Sequence, residues 1–292
     1  MIDMHCHSTC SDGKFTPIEL LKMAEQNKLN YFSITDHDSV ASCEQILNVD
    51  IKKYFSGKFI LGAELRFLYK GEQLELLCYG YDYNKIKDSF WVSKECYHCL
   101  KKGLLESLLV KAKDLGFKYN LIEYNPNTKP ESVFYNELLK YEQNLPILQS
   151  YKIKHSGDFY RKLIASVDSP IFFDSTSYSP TFDEIVELIH KSGGLAILAH
   201  PFGVYNLKNP KQTLNELIAL GKLDGIECMH ANMTQEDTEY LLDICKKHDL
   251  VSTGGSDFHG YPGQVFAKAN FGKNDITDHL IDKFLQKLEK TK

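Results

Sequence analysis

Arginine is nearly missing from this chain. Of 34 cationic side chains only Arg66 and Arg161 are arginines, and the net charge is −5. A protein that grips long duplexes usually needs a basic stripe, so that class of partner is disfavoured. A small phosphorylated metabolite, a nucleotide or a short nucleic-acid end stays open. Long apolar runs are lacking as well, and nothing approaches the ~18–20 residues that span a bilayer. The N-terminus has no basic-then-apolar leader, because Asp3 and His5 arrive at once. These absences predict a cytoplasmic protein with no membrane partner. Eight cysteines are present but scattered, without a disulfide framework. Cys96-Tyr97-His98-Cys99 matches C-x-x-C with no second pair, and reads as reduced thiols on a helix.

What the chain does have is concentrated at its start. Met1-Ile2-Asp3-Met4-His5-Cys6-His7 alternates like a short strand, so His5 and His7 project from one face. Two neutral imidazoles on one face suit a divalent cation, and Asp12 on the following turn can reach back as an oxygen ligand. Taken alone, H-x-H is equally a pair of histidines on a wet strand face.

Thr16-Pro17-Ile18-Glu19 is a capping box that opens a helix to about Lys28. Tyr31–Thr35 is a strand ending in Asp36-His37-Asp38, and a helix follows over about 40–48. Lys58–Glu64 is a third strand, continued to Leu68 and turned at Lys70-Gly71 into an antiparallel partner, Leu74–Tyr81. Thr181-Phe182-Asp183-Glu184 is a second capping box. After it the strands Leu195–Ala199, Gly225–Met229 and Leu250–Thr253 alternate with helices. A last strand is expected over 265–271 and a closing helix over 275–287, with Ile276, Leu280, Phe284 and Leu288 along one side. This rhythm fails between 83 and 180, which is lysine- and tyrosine-rich and mostly helical. The expected domains are therefore a barrel of residues 1–82 and 181–292 and an inserted helical subdomain of residues 83–180. Apolar strands alternating with amphipathic helices predict an α/β fold with a mainly parallel sheet, closed as a TIM-like barrel with its chemistry at the C-terminal strand ends.

His5, His7, Asp36, His37, Glu64, His200, Asp257 and His259 all fall at or just beyond such ends. His98, His190, His248 and His279 fall on helices, where a solvated ring is expected, while His155 and His230 are not resolved by the pattern. Parallel strand ends share one mouth. So many imidazoles and carboxylates in one pocket, with no cationic side chain, would repel and resist desolvation unless cations were bound. Imidazole and carboxylate without thiolate suit Zn²⁺, Mn²⁺ or Fe²⁺. Glu64, on a central strand, is the natural bridge between two ions. Two ions ~3.5–4 Å apart would hold a bridging hydroxide and clamp a phosphoryl group for in-line attack. The leaving oxygen needs a proton donor, either Asp36 or a histidine not fully committed to metal, for which His200 and His259 are the candidates. Arg66, two residues beyond Glu64, either touches substrate phosphate or forms a rim salt bridge. Lys14 and Arg161 are weaker substrate-binding candidates.

His5-Cys6-His7-Ser8 with Ser11-Asp12-Gly13, Ile34-Thr35-Asp36-His37-Asp38, Gly62-Ala63-Glu64, Leu198-Ala199-His200-Pro201 and Gly254-Gly255-Ser256-Asp257-Phe258-His259-Gly260 also carry a resemblance. The set resembles the PHP (polymerase and histidinol phosphatase) superfamily, in its branch of nucleotide phosphatases and 5′-to-3′ oligoribonucleases. The resemblance implies a distorted (β/α)7 barrel with a helical insertion and a centre of two or three divalent ions (Mn, Zn or Fe). By motif, His5, His7, Glu64 and Asp257 would hold one ion, Glu64 and His200 a second, and Asp12, His37 and His259 a third. Two positions depart from the pattern. Glu75 stands where relatives often have a histidine, and Thr128-Lys129-Pro130-Glu131 stands where they tend to have Gly-Arg-Pro-His. Glu131 could replace a metal-binding histidine and Lys129 a phosphate-binding arginine, or that loop has left the site. The implied function is a metal-dependent phosphoesterase acting on a nucleoside mono- or bisphosphate or a short oligonucleotide end. Its rivals are a histidinol-phosphate phosphatase and a catalytically weak metal-binding regulatory module.

Overall fold

Helix α1 (Pro17–Gln26) starts where its capping box places it. The Glu19 N–H donates to the Thr16 hydroxyl at 3.3 Å and the Thr16 N–H donates to the Glu19 carboxylate at 2.8 Å, satisfying two otherwise orphaned donors. The computed structural model describes residues 1–126, 128–202, 207–264 and 279–290. Strands β1 (Ile2–Asp3) and β2 (Tyr31–Phe32), helix α2 (Ala41–Leu47) and strand β3 (Lys58–Phe59) accompany α1, and the strands form a parallel sheet in the order β1-β2-β3.

A hairpin comes next, β4 (Gly62–Tyr69) against β5 (Glu72–Tyr79). Lys70 and Gly71 turn it at φ +51° and +82°. Both central residues are left-handed, as a two-residue turn matched to strand twist requires. After α3 (Tyr83–Ile86) the chain is helical over α4 (Lys94–Asp114), α5 (Pro130–Leu138), α6 (Leu145–Ser150) and α7 (Ser156–Phe159). Alternation returns with α8 (Phe182–Lys191), β6 (Leu195–Leu198), α9 (Pro210–Ala219), β7 (Gly225–His230), α10 (Gln235–Lys247), β8 (Val251–Gly255) and α11 (His279–Lys290). The second sheet runs β4-β5-β6-β7-β8. Here β5 is antiparallel to both neighbours, and β6, β7 and β8 are mutually parallel.

Backbone hydrogen bonds lace the chain beyond the first sheet's strands to the second sheet. Met4 N–H donates to Gly254 O and His7 N–H to Phe258 O at one edge, and Glu64 N–H donates to Asp36 O at the other. The motif-bearing strand ends are thereby tied to one another. The expected final strand over 265–271 and Ile276 lie outside the described residues. Within α11, Ile281, Phe284 and Leu288 are buried.

By contacts the chain divides into two units, Met1–Ser93 with Ser179–Lys292, and Lys94–Tyr178. The first boundary falls later than the expected 83, because Ile86 and Val92 are buried in the first unit's core and Trp91 packs against it. The second unit has its own core around Leu108, Phe134, Phe159 and Leu163. Among the described residues no helix is long and apolar enough to cross a membrane.

Asp224, just before β7, ties three elements of the first unit together. One carboxylate oxygen accepts the Ala196 N–H at 2.9 Å and faces His190 Nε2 at 2.8 Å, and the other lies 2.7 Å from Lys287 Nζ on α11. Burial opposes ionisation, but His190, Lys287 and the Ala196 N–H together hold this carboxyl below its usual range. Asp224→Ala is expected to cost about 1–3 kcal/mol in urea unfolding. The depressed carboxyl stabilises the fold above the ordinary aspartate pKa, and that contribution is lost as pH falls through the folded-state value. The wild type should therefore lose more stability on acidification than the variant.

Candidate metal centre

Strand alternation puts His5 and His7 on one face, and Gly255 lets the neighbouring chain approach them. A Cβ at Gly255 would lie 2.3 Å from the His5 backbone nitrogen, so no side chain fits there. Around this pair the structure gathers His37, Glu64, Glu75, His200, Asp12, Asp257 and His259, most of them wholly or largely buried.

Glu64 sits at the middle. Its Oε1 lies 2.8 Å from His200 Nε2 and 3.4 Å from His5 Nε2, while its Oε2 lies 2.9 Å from His37 Nδ1 and 3.3 Å from His7 Nε2. Asp257 Oδ1 is 3.1 Å from His7 Nε2 and 3.6 Å from His5 Nε2. On the other side of His7, Asp12 Oδ1 is 3.2 Å from His259 Nε2 and 3.8 Å from His37 Nε2. His7 is stacked between His37 and His259, with ring centroids 4.2 and 4.0 Å away. Glu75 reaches His37 Nδ1 at 3.4 Å and His200 Nε2 at 3.7 Å.

Donor atoms within 4.8 Å of one another form overlapping sets: His5, His7 and Glu64; His7, Asp12, His37 and His259; His37, Glu64 and Glu75; His5, His200 and Glu227. The chemistry of these sets fits divalent ions. A carboxylate or a carbonyl oxygen can only accept, so His5 Nδ1, 3.0 Å from Glu227, and His259 Nδ1, 2.9 Å from the Asp257 carbonyl oxygen, each carry the proton of the neutral ring. Their Nε2 lone pairs then point into the cluster, where His5 Nε2 meets His7 Nε2 at 3.2 Å. Among the described residues no hydrogen bond reaches the buried His7 Nδ1, which faces Asp12 Oδ1 at 3.9 Å.

The charged groups of the cluster shift one another. Burial opposes the charged imidazole at His5, yet Glu227 and Glu64 raise it well above the usual histidine range. His37 is likewise raised against burial by Glu64 and Asp12. His7 goes the other way, lowered by burial and by the neighbouring His37 and His259. Glu64 and Asp257 are held well below the carboxylate range against burial, Glu64 chiefly by His5 and His37, and Asp257 by His230 and His7. Divalent ions would neutralise the same carboxylates and displace those protons.

A family model described as PHP domain matches residues 3–234. The chain belongs to the PHP domain family. As a PHP member it is an enzyme, a metal-dependent phosphoric ester hydrolase. One relative, a 5′-3′ exoribonuclease of Haemophilus influenzae, is 26% identical over 283 residues, 96% of each chain. Another, a phosphoribosyl 1,2-cyclic phosphate 1,2-diphosphodiesterase of Eggerthella lenta, is 26% identical over 90% of this chain and 95% of its own. The fold is also that of an amidohydrolase from Chromobacterium violaceum solved with bound sulfate, at TM-score 0.72 and 21% identity over 99% of this chain and 96% of that one.

Asp36, Arg66 and Lys14 make other contacts in the first unit. Asp36, considered as a proton donor, is fully buried and accepts from the Ser8 N–H at 2.8 Å, the Ser8 hydroxyl at 2.7 Å and the Ser11 hydroxyl at 2.6 Å. Those three donors make it a brace for the turn after the H-x-H strand. Arg66 is buried with Nη1 3.4 Å from Asp38 Oδ2, the salt-bridge alternative. Lys14 is exposed, its Nζ 4.7 Å from the Tyr261 ring centroid. Lys129, Glu131 and Arg161 belong to the second unit, where Lys129 and Glu131 start α5 and Arg161 lies 3.7 Å from Asp158.

One residue, Glu227, escaped the sequence reading, and His230 was left undecided by it. Glu227 is fully buried on β7, with Oε1 3.0 Å from His5 Nδ1 and Oε2 accepting the His200 N–H at 2.8 Å. A charged residue inside the apolar run Gly225–Met229 was the available signal. His230, also buried, lies 3.3 Å from Asp257 through Nε2.

Proposed function

We propose that this PHP member hydrolyses a phosphate ester of a small nucleotide-like substrate, either a nucleoside mono- or bisphosphate or the end of a short oligonucleotide. The observation that carries the reading is Glu64, each of whose oxygens faces two imidazoles. A buried carboxylate among four imidazoles would hold divalent ions together with those rings. Its support is the likeness, over nearly all of both chains, to the Haemophilus influenzae exoribonuclease.

In this reading His5, His7, Glu64 and Asp257 would hold one ion, Glu64, His200 and Glu75 a second, and Asp12, His37 and His259 a third. Bound ions supply a water acidic enough to attack at neutral pH and neutralise charge on the phosphoryl oxygens. The residues supply the rest. Glu227 and the Asp257 carbonyl keep the His5 and His259 rings turned with Nε2 inward. Asp36 holds the turn that carries Asp12. The hydrogen-bonded seams between the two sheets support the expected distorted barrel.

The test is a panel of phosphate esters assayed with added Mn²⁺: adenosine 3′,5′-bisphosphate, a 5′-phosphorylated ribotrinucleotide and histidinol phosphate. Turnover of the nucleotide or trinucleotide, with little on histidinol phosphate, is expected. The reverse ranking would make the chain a histidinol-phosphate phosphatase. No hydrolysis with Mn²⁺, Zn²⁺ or Fe²⁺ would favour a metal-binding module. Because a trinucleotide presents few phosphates, its turnover should fall only gently as salt rises.

A further inference from the structure

His230 reaches the metal centre through an irregularity in β7. In the β7–β8 ladder Glu227 pairs with Thr253 but Met229 pairs with Gly254, so β7 carries one extra residue at this point. On a regular strand residues 227 and 230 would face opposite sides. The extra residue turns both toward the cluster. The His230 ring lies 5.1 Å from that of His200 and 6.0 Å from that of His5, and its side chain is wholly buried.

Its tautomer is the reverse of that of His5 and His259. The Asn232 backbone N–H donates to His230 Nδ1 at 3.1 Å, so that nitrogen presents its lone pair. In the neutral ring the proton is then on Nε2, the atom 3.3 Å from Asp257 Oδ2. A protonated Nε2 has no lone pair to give an ion. Asp257, for its part, sits at a left-handed φ of +51°, with its own N–H donated to His5 O at 2.8 Å. Its other oxygen, Oδ1, faces His5 and His7.

We infer that His230 is a positioning residue rather than a ligand: its buried Nε2–H, 3.3 Å from Oδ2 of Asp257 and without a hydrogen bond among the described residues, is the donor placed to hold that oxygen and leave Oδ1 as the one offered to the ion. A metal-bound carboxylate whose second oxygen is held in this way pays less to order itself on binding, so the effect belongs to ion affinity. The inference rests on the metal reading of the site and is independent of the substrate.

Two measurements on the full chain test it. In Zn²⁺-loaded protein with ¹⁵N-labelled histidine, assigned by comparison with His230→Gln, the His230 Nε2 resonance should be that of a protonated nitrogen and Nδ1 that of an unprotonated one. A metal-shifted Nε2 would overturn the proposal. In Zn²⁺ titrations of apo protein, His230→Ala should weaken one ion by roughly 10–100-fold. His230→Gln, which offers an N–H near the Nε2 position, should recover much of that loss. Equal Zn²⁺ affinity in the wild type and His230→Ala overturns the positioning role, and so does a Gln variant as weak as the Ala variant. A wild type that binds no Zn²⁺ overturns the metal reading itself. Normal uptake without phosphate release leaves the positioning role standing and fails only the proposed reaction.

Discussion

Glu64→Gln should abolish hydrolysis for practical purposes, with kcat/KM down by about a thousandfold or more, corresponding to roughly 4 kcal/mol of lost charge stabilisation. The substitution keeps shape and removes charge. In the wild type, four imidazoles converge on the two oxygens of one carboxylate. An amide presents one oxygen and one NH₂, so it cannot accept from both sides or serve two ions. Metal analysis should show the variant short of ions after dialysis against a dilute chelator that leaves the wild type loaded. The rings also lose their counter-charge, since Glu64 is among the groups that raise His5, His37 and His200 against burial. In the metal-free variant these histidines should titrate at lower pH by NMR. Full activity with a full metal complement in Glu64→Gln would refute the bridging assignment.

Glu227→Gln makes a subtler change with a large consequence. Glu227 accepts twice, from the His5 ring through one oxygen and from the His200 N–H through the other. Glutamine has one accepting oxygen. If that oxygen stays with the His200 N–H, the amide NH₂ faces His5 Nδ1 and forces the proton to Nε2. The lone pair of His5 Nε2 is then lost to the ion. If the oxygen turns to His5, a buried backbone N–H at His200 is left against a donor, at about 1–3 kcal/mol. Either way the expected result is a 10–100-fold loss of metal affinity and of activity at limiting metal. Saturating metal should restore part of the activity, which it does not do for Glu64→Gln. A Glu227→Gln enzyme with wild-type metal titration would show that β7 merely packs here.

Much of this centre could be read from the chain because its cues are local. H-x-H on an alternating strand needs only two neighbouring residues to put two rings on one face. Capping boxes at Thr16 and Thr181 act within four residues, and both open helices where expected. Local cues left a role open where the partner was remote. Asp36 follows a strand just as His37 does, but its carboxylate is claimed by Ser8 and Ser11, more than twenty positions earlier. Arg66 lies two residues beyond Glu64, yet Asp38 takes its guanidinium.

From the amino-acid order alone came the kind of chemistry: imidazoles and carboxylates at successive strand ends, too many to share a pocket without cations. Strand alternation and helix capping are short-range, so they place such groups at the strand ends without any knowledge of the whole. The tertiary structure alone decided which nitrogen of the His5, His259 and His230 rings faces inward. His5 is oriented by a glutamate 222 residues away, and His230 enters the site only because β7 carries an extra residue against β8. Tautomer and bulge depend on partners brought together by folding, and strand periodicity cannot register either.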